Sequence, residues 1–323
     1  MAENSIVPNP NQSCDVFGIG VSVMDTILVV DELPTQESVA EAKARSVGIG
    51  GGVTVALSTI GLLGGSAELV DTLGVDVTSQ AIVDRISQCG VNTANVVRDS
   101  DCSPSLACVL VISKNGSRSI VFSPGNAESL NTDDKCLSAI ENAKILHING
   151  RHLQLSKKAA SLAHDCGTKV SYDGGAHRYR KEVVPILHLV DFLIVSEQFA
   201  MAHAESKAVP YTDASSLASL LQDDFGCELV VITLGEKGSW ISPIGCSSWL
   251  QPVFNMTDII DTTGCGDTYH GGFLWAITRG ASYKECGEIA SYVSAQNTQG
   301  LGALAFDCDS TLKQLHKDYS HLF

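Results

Sequence analysis

The seven residues Asp261–Asp267, with the sequence DTTGCGD, have the side chains and spacing of a site that handles a negatively charged group. They follow an apolar, strand-like run that ends near Ile260 and precede TYHGGFLWAIT, whose pattern predicts a buried helix. The first amides of a helix have no partner within it and carry partial positive charge, and glycines let a ligand approach them closely. Asp267 lies where its carboxylate could accept the proton of a hydroxyl. This combination fits phosphoryl transfer to an alcohol.

A simpler interpretation of the same stretch is purely structural. Asp267 would then only stabilise the positive end of the helix, and Thr263 would cap it. A turn of that kind needs one glycine and one capping residue, whereas this stretch holds two glycines, two threonines and two acids. We therefore favour the reactive interpretation.

Length and composition limit what else the protein can be. The 323 residues carry a net charge of −15, which argues against a nucleic-acid surface and against binding to anionic membranes. None of the 11 cysteines forms a Cys-x-x-Cys pair, so we expect reduced thiols rather than a zinc site. No apolar run reaches the ~20 residues of a spanning helix, and residues 1–13 are polar rather than signal-like. We expect a cytoplasmic protein with a flexible tail at 1–13.

Apolar strands alternate with amphipathic helices along most of the chain, and these elements must position the reactive stretch. Strands are predicted in AELVDTLG, AKILHING, TKVSYDGG, LVDFLIVSE and ELVVITLG, with helices between several of them. Strands of this near-continuous apolar kind indicate an α/β fold, with a parallel sheet buried under helices on both faces. Open sheets of this type bind ligands at the carboxyl ends of their strands.

Two segments do not fit a parallel sheet. In 105–123, two β-rich runs flank Asn115-Gly116, which signals a hairpin because both central positions of a tight hairpin turn favour positive φ. We expect this hairpin and the segment 28–49 to form a small antiparallel sheet that covers the cleft as a lid. The apolar face of this lid could also pair with a second copy of the chain and form a homodimer.

The stretch DTTGCGDTYHGGF resembles the carboxyl-terminal signature of the ribokinase/PfkB family of small-molecule kinases, usually written D-T-x-G-A-G-D-x-F-x-G-[GA]. Cys265 replaces the usual alanine and Tyr269 the usual phenylalanine. Three further stretches resemble family motifs in the same order, namely IGGGVTVALSTIGLLGG, DTLGVD and VITLGEKGSW, and the agreement extends over residues 15–310. The patterns of ketohexokinase-like and sulfofructose-kinase-like members are the most similar.

This resemblance implies a ribokinase-like kinase domain over residues 14–323, with a doubly wound, mainly parallel sheet and a β-sheet lid. It implies ATP with Mg²⁺ as the phosphoryl donor, and a monovalent cation such as K⁺ could assist. Asp267 becomes the general base, and the amides of Gly264, Cys265 and Gly266 become the anion hole. No side chain is assigned as a direct ligand of the metal.

The resemblance also points to residues for both substrates. The residues matched to the acceptor site are Asp25, Glu37, Gly50, Gly51, Arg151 and Asp267. Those matched to the ATP site are Ser196, Glu197, Thr233, Gly235, Gly238, Thr263, Gly264, Gly266 and Asn297. Asn297 lies near where the family contacts adenine, although a polar residue on a helix surface is an equal interpretation. Arg151 follows the predicted strand at 145–149, and its rigid fork of donors suits two hydroxyls or one anionic group.

Two residues depart from the family pattern. Val55 stands where members that bind ribose or fructose commonly carry an asparagine, which argues against ribose or unmodified fructose as the acceptor. Phe199 stands where the family's Asn-x-x-Glu motif ends in glutamate, so the arrangement around Mg²⁺ should differ from that of ribokinases.

We expect ATP-dependent phosphorylation of a primary hydroxyl on a sugar or sugar derivative, with a ketohexose-like acceptor favoured over a nucleoside or ribose. One alternative from another class is an NAD-dependent oxidoreductase. GIGGGV at 48–53 and Asp71 suggest a dinucleotide fingerprint, but Val53 replaces its last glycine. A non-catalytic ligand-binding protein on the same fold is a further alternative, and the intact Asp267 argues against it.

Overall fold

The computed structural model describes residues 13–126 and 134–323, so the expected flexible tail lies, apart from Ser13, outside the described residues. The strands are β1 (Cys14–Ile19), β2 (Val23–Val30), β3 (Ala44–Gly50), β4 (Ala67–Leu73), β5 (Val91–Asn92), β6 (Val96–Arg98), β7 (Ser105–Ile112), β8 (Arg118–Ser123), β9 (Ala143–Ile148), β10 (Lys169–Gly174), β11 (Phe192–Ser196), β12 (Leu229–Thr233), β13 (Ser239–Pro243) and β14 (Trp249–Gln251). The helices are α1 (Gly52–Leu62), α2 (Val77–Gln88), α3 (Asp134–Ser138), α4 (Leu153–Cys166), α5 (Val184–Leu187), α6 (Glu197–Ser206), α7 (Ala214–Phe225), α8 (Cys265–Ile277), α9 (Tyr283–Asn297) and α10 (Cys308–Asp318).

Ten strands form one large sheet in the order β14–β13–β12–β11–β10–β9–β1–β4–β5, with β6 also paired to β4. Neighbouring strands from β12 to β5 are parallel, and β13 and β14 run antiparallel at one edge. The expected mainly parallel, doubly wound sheet is confirmed. Because β1, β4 and β9 to β12 run in the same direction, their carboxyl ends share one edge of the sheet, where a ligand site is expected.

Helices cover both faces of this sheet, since consecutive side chains of a strand point to opposite faces. On one face, Val16 and Ile145 belong to a buried apolar cluster that includes residues of α1, α8 and α9. On the other face, Phe17 and Leu146 belong to a cluster that includes residues of α4, α6 and α7. The first cluster holds α1 and α8, the helices that carry the glycine-rich motifs, against the sheet. Within the described residues, no helix combines the length and apolarity needed to cross a membrane.

The small sheet contains four strands in the order β3–β2–β7–β8. β2, the first of these strands along the chain, begins at Val23 rather than near residue 28. Residues 31–43, between β2 and β3, form no strand. Its central pair, β2 and β7, is parallel, so the expectation of an antiparallel sheet was wrong for that pair. A parallel pair is possible here because the chain passes through α1, β4, α2, β5 and β6 between the two strands, and such a pair needs a long crossover.

The hairpin between β7 and β8 is confirmed as a hairpin, but its turn differs from the expected one. Gly116 has a φ of +66°, whereas Asn115 keeps a negative φ. The side-chain oxygen of Asn115 instead accepts a hydrogen bond from the amide of Ser117 at 3.1 Å. Residues 113–117 connect the two strands, so the loop is longer than a two-residue turn, and the asparagine side chain acts as an acceptor within it.

Candidate active site

Helix α8 begins at Cys265, and no side chain caps it. Gly264 is the residue before the first turn. Its φ of +75° favours glycine, which has no side chain with which to cap the helix. Thr263 does not cap the helix, because its hydroxyl donates to Asp261 Oδ1 at 2.7 Å. A Cβ added to Gly266 would meet no atom within 4 Å. The amide of Cys265 makes a long hydrogen bond to Thr262 O at 3.4 Å, whereas the next two amides, of Gly266 and Asp267, are left for a ligand, as an anion hole requires.

The loop before α8 is irregular rather than a strand, so that expectation was wrong. Ile260 is about half exposed at the rim, and its amide donates to Thr298 O at 2.8 Å. Asp261, by contrast, is fully buried and accepts hydrogen bonds from the amides of Thr263 and Gly302, both at 2.8 Å. Asp261 therefore sets the shape of the loop that leads into the anion hole.

Asn297 is a second brace of this loop. Its side chain is fully buried, donates to Thr263 O at 2.9 Å and accepts from the amide of Ala305 at 2.9 Å. Because both ends of the amide are bonded to backbone, Asn297 is neither a helix-surface residue nor placed to contact adenine. Its contacts are with the loop before α8 and with the backbone of Ala305.

Asp267, in the first turn of α8, meets two charged side chains at Gly52. A Cβ added to Gly52 would lie 2.4 Å from Asp173 Oδ2, 2.8 Å from Arg178 Nη1 and 3.1 Å from Asp267 Oδ1. The absence of a side chain at Gly52, the first residue of α1, therefore leaves the space in which these groups come together. Arg178 donates to Asp173 Oδ2 at 2.5 Å.

Burial, helped by the negative charge of Asp173, raises the pKa of Asp267 from 3.8 to about 6, although Arg178 and Arg118 oppose the rise. Burial and the charge of Asp267 likewise raise the pKa of Asp25 to about 6. A carboxylate whose pKa is raised toward neutrality binds a proton more readily, which suits a general base.

Asp173 and Arg178 were missed by the sequence reasoning, as were two histidines beside them. His270 Nε2 lies 3.5 Å from Asp173 Oδ1, and the rings of His147 and His270 are 5.5 Å apart. Burial, together with the neighbouring His270, lowers the pKa of His147 to about 3, and burial also lowers the pKa of His270. Both rings are therefore neutral at pH 7. The available signal was the position of Asp173 at the end of β10, on the ligand edge of the sheet.

The acceptor-site residues expected from the sequence are only partly brought together. Asp25 is buried on β2, with its carboxylate against Gly50, where an added Cβ would lie 2.4 Å from Oδ2. Gly51 has a φ of +98°, and a Cβ there would lie 2.0 Å from Val21 O, so no other residue fits. Glu37 is exposed in the connection between β2 and β3, and it is not among the residues that line the neighbouring cavity.

Arg151 lines a cavity of about 650 Å³ between the small sheet and the ends of β1, β4 and β9. Its guanidinium carbon lies 5.7 Å from the centre of the Phe122 ring, which belongs to β8. Val55, where an asparagine is common in the family, is fully buried and offers nothing to an acceptor. The small sheet thus reaches the acceptor side through Phe122.

On the nucleotide side, Ser196 and Thr233 are register partners at the ends of β11 and β12. Ser196 caps α6 by accepting from the amide of Phe199 at 3.2 Å, and Glu197 is the first residue of that helix. Gly235 and Gly238 both have positive φ in the turn after β12. Phe199 itself is fully buried, so the altered end of this motif is part of the core.

The tip of the small sheet touches the nucleotide side. Arg118, at the start of β8, donates to the hydroxyl of Thr262 at 2.8 Å, and that hydroxyl donates to Gly116 O at 3.3 Å. Arg118 also places a positive charge near Asp267 and Cys265. The sheet therefore spans the cleft from the acceptor side to the loop before α8.

Comparison with known proteins identifies this arrangement. The family described as pfkB family carbohydrate kinase matches residues 12–308. The chain belongs to the pfkB family of carbohydrate kinases. It is therefore a kinase that uses ATP, and its large sheet and separate small sheet are the ribokinase-like fold.

The names of several relatives of this pfkB kinase describe kinases of sugars or nucleosides. An uncharacterized sugar kinase of Archaeoglobus fulgidus is 26% identical over 205 residues, which cover 60% of this chain and 77% of that protein. Adenosine kinase of Schizosaccharomyces pombe is 23% identical over 197 residues, covering 55% of this chain and 58% of the relative, so less than two thirds of that protein is matched. The solved structure of Arabidopsis thaliana ribokinase complexed with ribose and ATP has a TM-score of 0.78 at 23% identity, covering 94% of this chain and 98% of that one. The pfkB kinase is thus a sugar or nucleoside kinase.

The structure argues against the alternative that the chain is an NAD-dependent oxidoreductase. β3, which ends within the GIGGGV stretch at Gly50, belongs to the small sheet and not to a β–α–β unit of the large one. Asp71 is fully buried and accepts from the amides of Ser22 and Thr72, both at 2.7 Å, so it cannot reach a ribose.

Proposed function

We propose that this pfkB kinase transfers the γ-phosphoryl group of ATP to a primary hydroxyl of a sugar or sugar derivative, with a ketohexose-like acceptor favoured over a nucleoside or ribose. The observation that carries the proposal is Asp267, a carboxylate with a raised pKa in the first turn of an uncapped helix. Asp25 and Gly51 lie on the acceptor side of it, where hydroxyls could bind carboxylate and backbone.

The residues divide the work of the reaction. Asp267 accepts the proton of the attacking hydroxyl, and Asp25 orients the acceptor's other hydroxyls. The amides of Gly264, Cys265 and Gly266 bind the charge that develops on the transferred group. Arg178, held by Asp173, keeps a positive charge beside the base. The small sheet acts as a lid that excludes water, so that ATP is not hydrolysed.

ATP would be bound by the ends of β11 and β12, the turn with Gly235 and Gly238, and the start of α8. Mg²⁺ supplies charge neutralisation on the phosphates when it binds with ATP. Among residues 13–126 and 134–323, no three His, Cys, Asp or Glu side chains are grouped so as to hold a metal. Phosphate oxygens and water would therefore be its main ligands, with Glu197 able to accept from one such water. A monovalent cation such as K⁺ could also be required, and activity with and without KCl tests this.

The lid also offers a surface for a second copy of the chain. Val47, Leu106 and Val121 lie on the same face of the small sheet and expose about half or more of their surface. We propose a homodimer through this sheet. A mass measurement in solution on the wild type and on Val121→Asp tests it, since a wild-type monomer at high concentration would refute the dimer.

Measuring ADP release with different acceptors identifies the substrate. Ketohexoses, ribose and nucleosides are supplied separately with ATP and Mg²⁺, and kcat/KM is compared. The proposal expects a ketohexose or a derivative of one to give the highest value. Preferential turnover of a nucleoside would establish the nucleoside kinase instead, and no turnover of any hydroxyl acceptor would refute the function.

A further inference from the structure

The cavity that contains Arg151 extends the acceptor site away from the base. It is bordered by Ser22 and Thr72 at the strand ends and by Phe122 on the lid. Its floor at Val21 is in contact with Gly51, because a Cβ on that glycine would lie 2.0 Å from Val21 O. Gly52, the next residue, touches Arg178 and Asp267. At about 650 Å³, the cavity has the size of a small-ligand site.

Two arginines, Arg151 and Arg180, line this cavity. Arg151 packs on the Phe122 ring, and Arg180 donates to Gly150 O. Among the described residues, no carboxylate lies within 4 Å of either guanidinium, whereas Arg178 nearby is paired with Asp173. The chain carries 36 acidic and 21 basic residues, so a cavity lined by two arginines and one glutamate differs in charge from the protein as a whole.

The arginines are also close to one another. The pKa of Arg151 is lowered, first by burial and then by the charges of Arg178 and Arg180. Helix α4 starts at Leu153, which lines the same cavity, and adds the positive end of its dipole without a side-chain cap. Both arginine side chains are exposed to solvent, so an anion from solution can reach the positive charges that lie close together here. Glu182 also lines the cavity, and its single negative charge is smaller than the combined positive charge of the two arginines.

We propose that the acceptor carries an anionic group, such as a phosphate, sulfonate or carboxylate, which Arg151 and Arg180 bind in this cavity while Asp267 meets the reactive hydroxyl at the other end. This rests on the proposed kinase function and names its substrate class. Arginine is suited to the task because its planar fork forms paired, charge-assisted hydrogen bonds with such groups. Arg180 is the specificity residue that the sequence reasoning did not find.

Matched acceptors test the proposal. ADP release is measured with fructose, fructose 1-phosphate, fructose 6-phosphate, 6-deoxy-6-sulfofructose and 2-keto-3-deoxygluconate, which separate the phosphate, sulfonate and carboxylate cases. The best anionic acceptor should exceed fructose by about 30-fold or more in kcat/KM. Arg151→Ala and Arg180→Ala should each lower that value by about 10-fold or more and lower kcat/KM for fructose by a smaller factor, so that the preference for the anionic acceptor shrinks. Lys181→Ala, an exposed cation next to Arg180, is the matched control and should behave as wild type.

The outcomes separate this inference from the kinase function itself. Equal or better turnover of fructose, or a preference for anions that survives in both arginine variants, overturns the inference and leaves the kinase function standing. If no acceptor is phosphorylated, binding of the same panel is measured by calorimetry in the presence of a non-hydrolysable ATP analogue. Anion binding that is lost in Arg151→Ala and Arg180→Ala supports the inference, and absence of anion binding overturns it. Thermal melting of each variant confirms that it is folded.

Discussion

The two sides of the active site are built from different materials. On the nucleotide side, the groups left for the ligand are backbone amides at the start of α8, and the side chains of Asp261 and Asn297 bind the protein instead. On the acceptor side, the groups are charged side chains, Asp25, Arg151 and Arg178, which come from separate parts of the chain. The first side depends on the shape of a loop, and the second depends on the balance of charges.

This difference predicts how each side responds to change. Removing a side chain that supports the loop on the nucleotide side, such as that of Asn297, should distort the backbone there and weaken the binding of ATP. Changing a charge or filling space on the acceptor side should alter the turnover of the acceptor. It should also alter the pH dependence of the rate, because the charged groups there shift one another's pKa values. Asp267 stands between the two sides and should be the most sensitive residue.

Asp267→Asn should lower kcat by ~10²–10⁴-fold or more, because a positioned base is lost. Folding and ATP binding should stay nearly unchanged, since the amides of α8 remain. Steady-state kinetics and ATP titration check this, with Asp258→Asn, an exposed acid in the preceding loop, as the control. A variant that keeps more than about half of the wild-type kcat would contradict the assignment of the base.

Gly52→Ala tests the acceptor side. Its Cβ would lie 2.4 Å from Asp173 Oδ2 and must displace the Asp173–Arg178 pair. Because displacements near 1 Å cost about 100-fold in rate, we expect kcat/KM for the acceptor to fall by ~10–100-fold. Gly48→Ala, where an added Cβ meets no atom within 4 Å, is the matched control. If both variants behave alike, the crowding at Gly52 has no functional role.

Asn297→Ala tests the nucleotide side. It leaves Thr263 O and the amide of Ala305 without their partner, and each such loss costs about 1–3 kcal/mol. We expect a lower Tm and a KM for ATP raised about tenfold, with the acceptor's KM nearly unchanged. Gln314→Ala, an exposed amide on α10, provides the control. A raised KM for the acceptor alone would break the division between the two sides.

The pH profile gives the smallest expected effect. Asp267 must be ionised to accept a proton, and its pKa is raised to about 6, so kcat should fall as the pH drops through 6. Asp25, with a pKa also near 6, should steepen this fall. In Asp173→Asn a negative charge beside the base is lost while Arg178 and Arg118 remain, so the fall should move to lower pH. A profile of kcat at saturating substrate checks this, and movement to higher pH would contradict it.

The nucleotide side was largely predictable from the sequence. DTTGCGD is contiguous, and backbone amides at a helix start follow from the positions of the glycines alone. What could not be predicted was which polar side chains serve the ligand and which serve the loop. Thr263 and Asn297 are of residue types that suit either use, and only the buried hydrogen bonds to Asp261 and Thr263 O distinguish them.

The acceptor side was predictable only in fragments. Asp25 and Arg151 lie at strand ends, and sheet topology places such residues at one edge. Glu37 showed no such signal, and the structure leaves it exposed in a connection. Arg178 and Arg180 follow β10 in an irregular segment, where no periodicity indicates direction. Their convergence with Arg151 depends on how the segments after β9 and β10 pack together.

By itself, the sequence determined the alternation of strands and helices, the glycine-rich start of α8, the hairpin of the lid and the place of Asp267 in the first turn of α8. These follow from local patterns, since hydrophobic period and glycine content act within a few residues. Only the tertiary structure decided that Asp173, Arg178 and Asp267 meet at Gly52, that β2 pairs in parallel with β7, and that two arginines from separate segments line one cavity. Charges and shapes brought together from distant segments leave no local pattern, because their interaction depends on distance in space and not on separation along the chain.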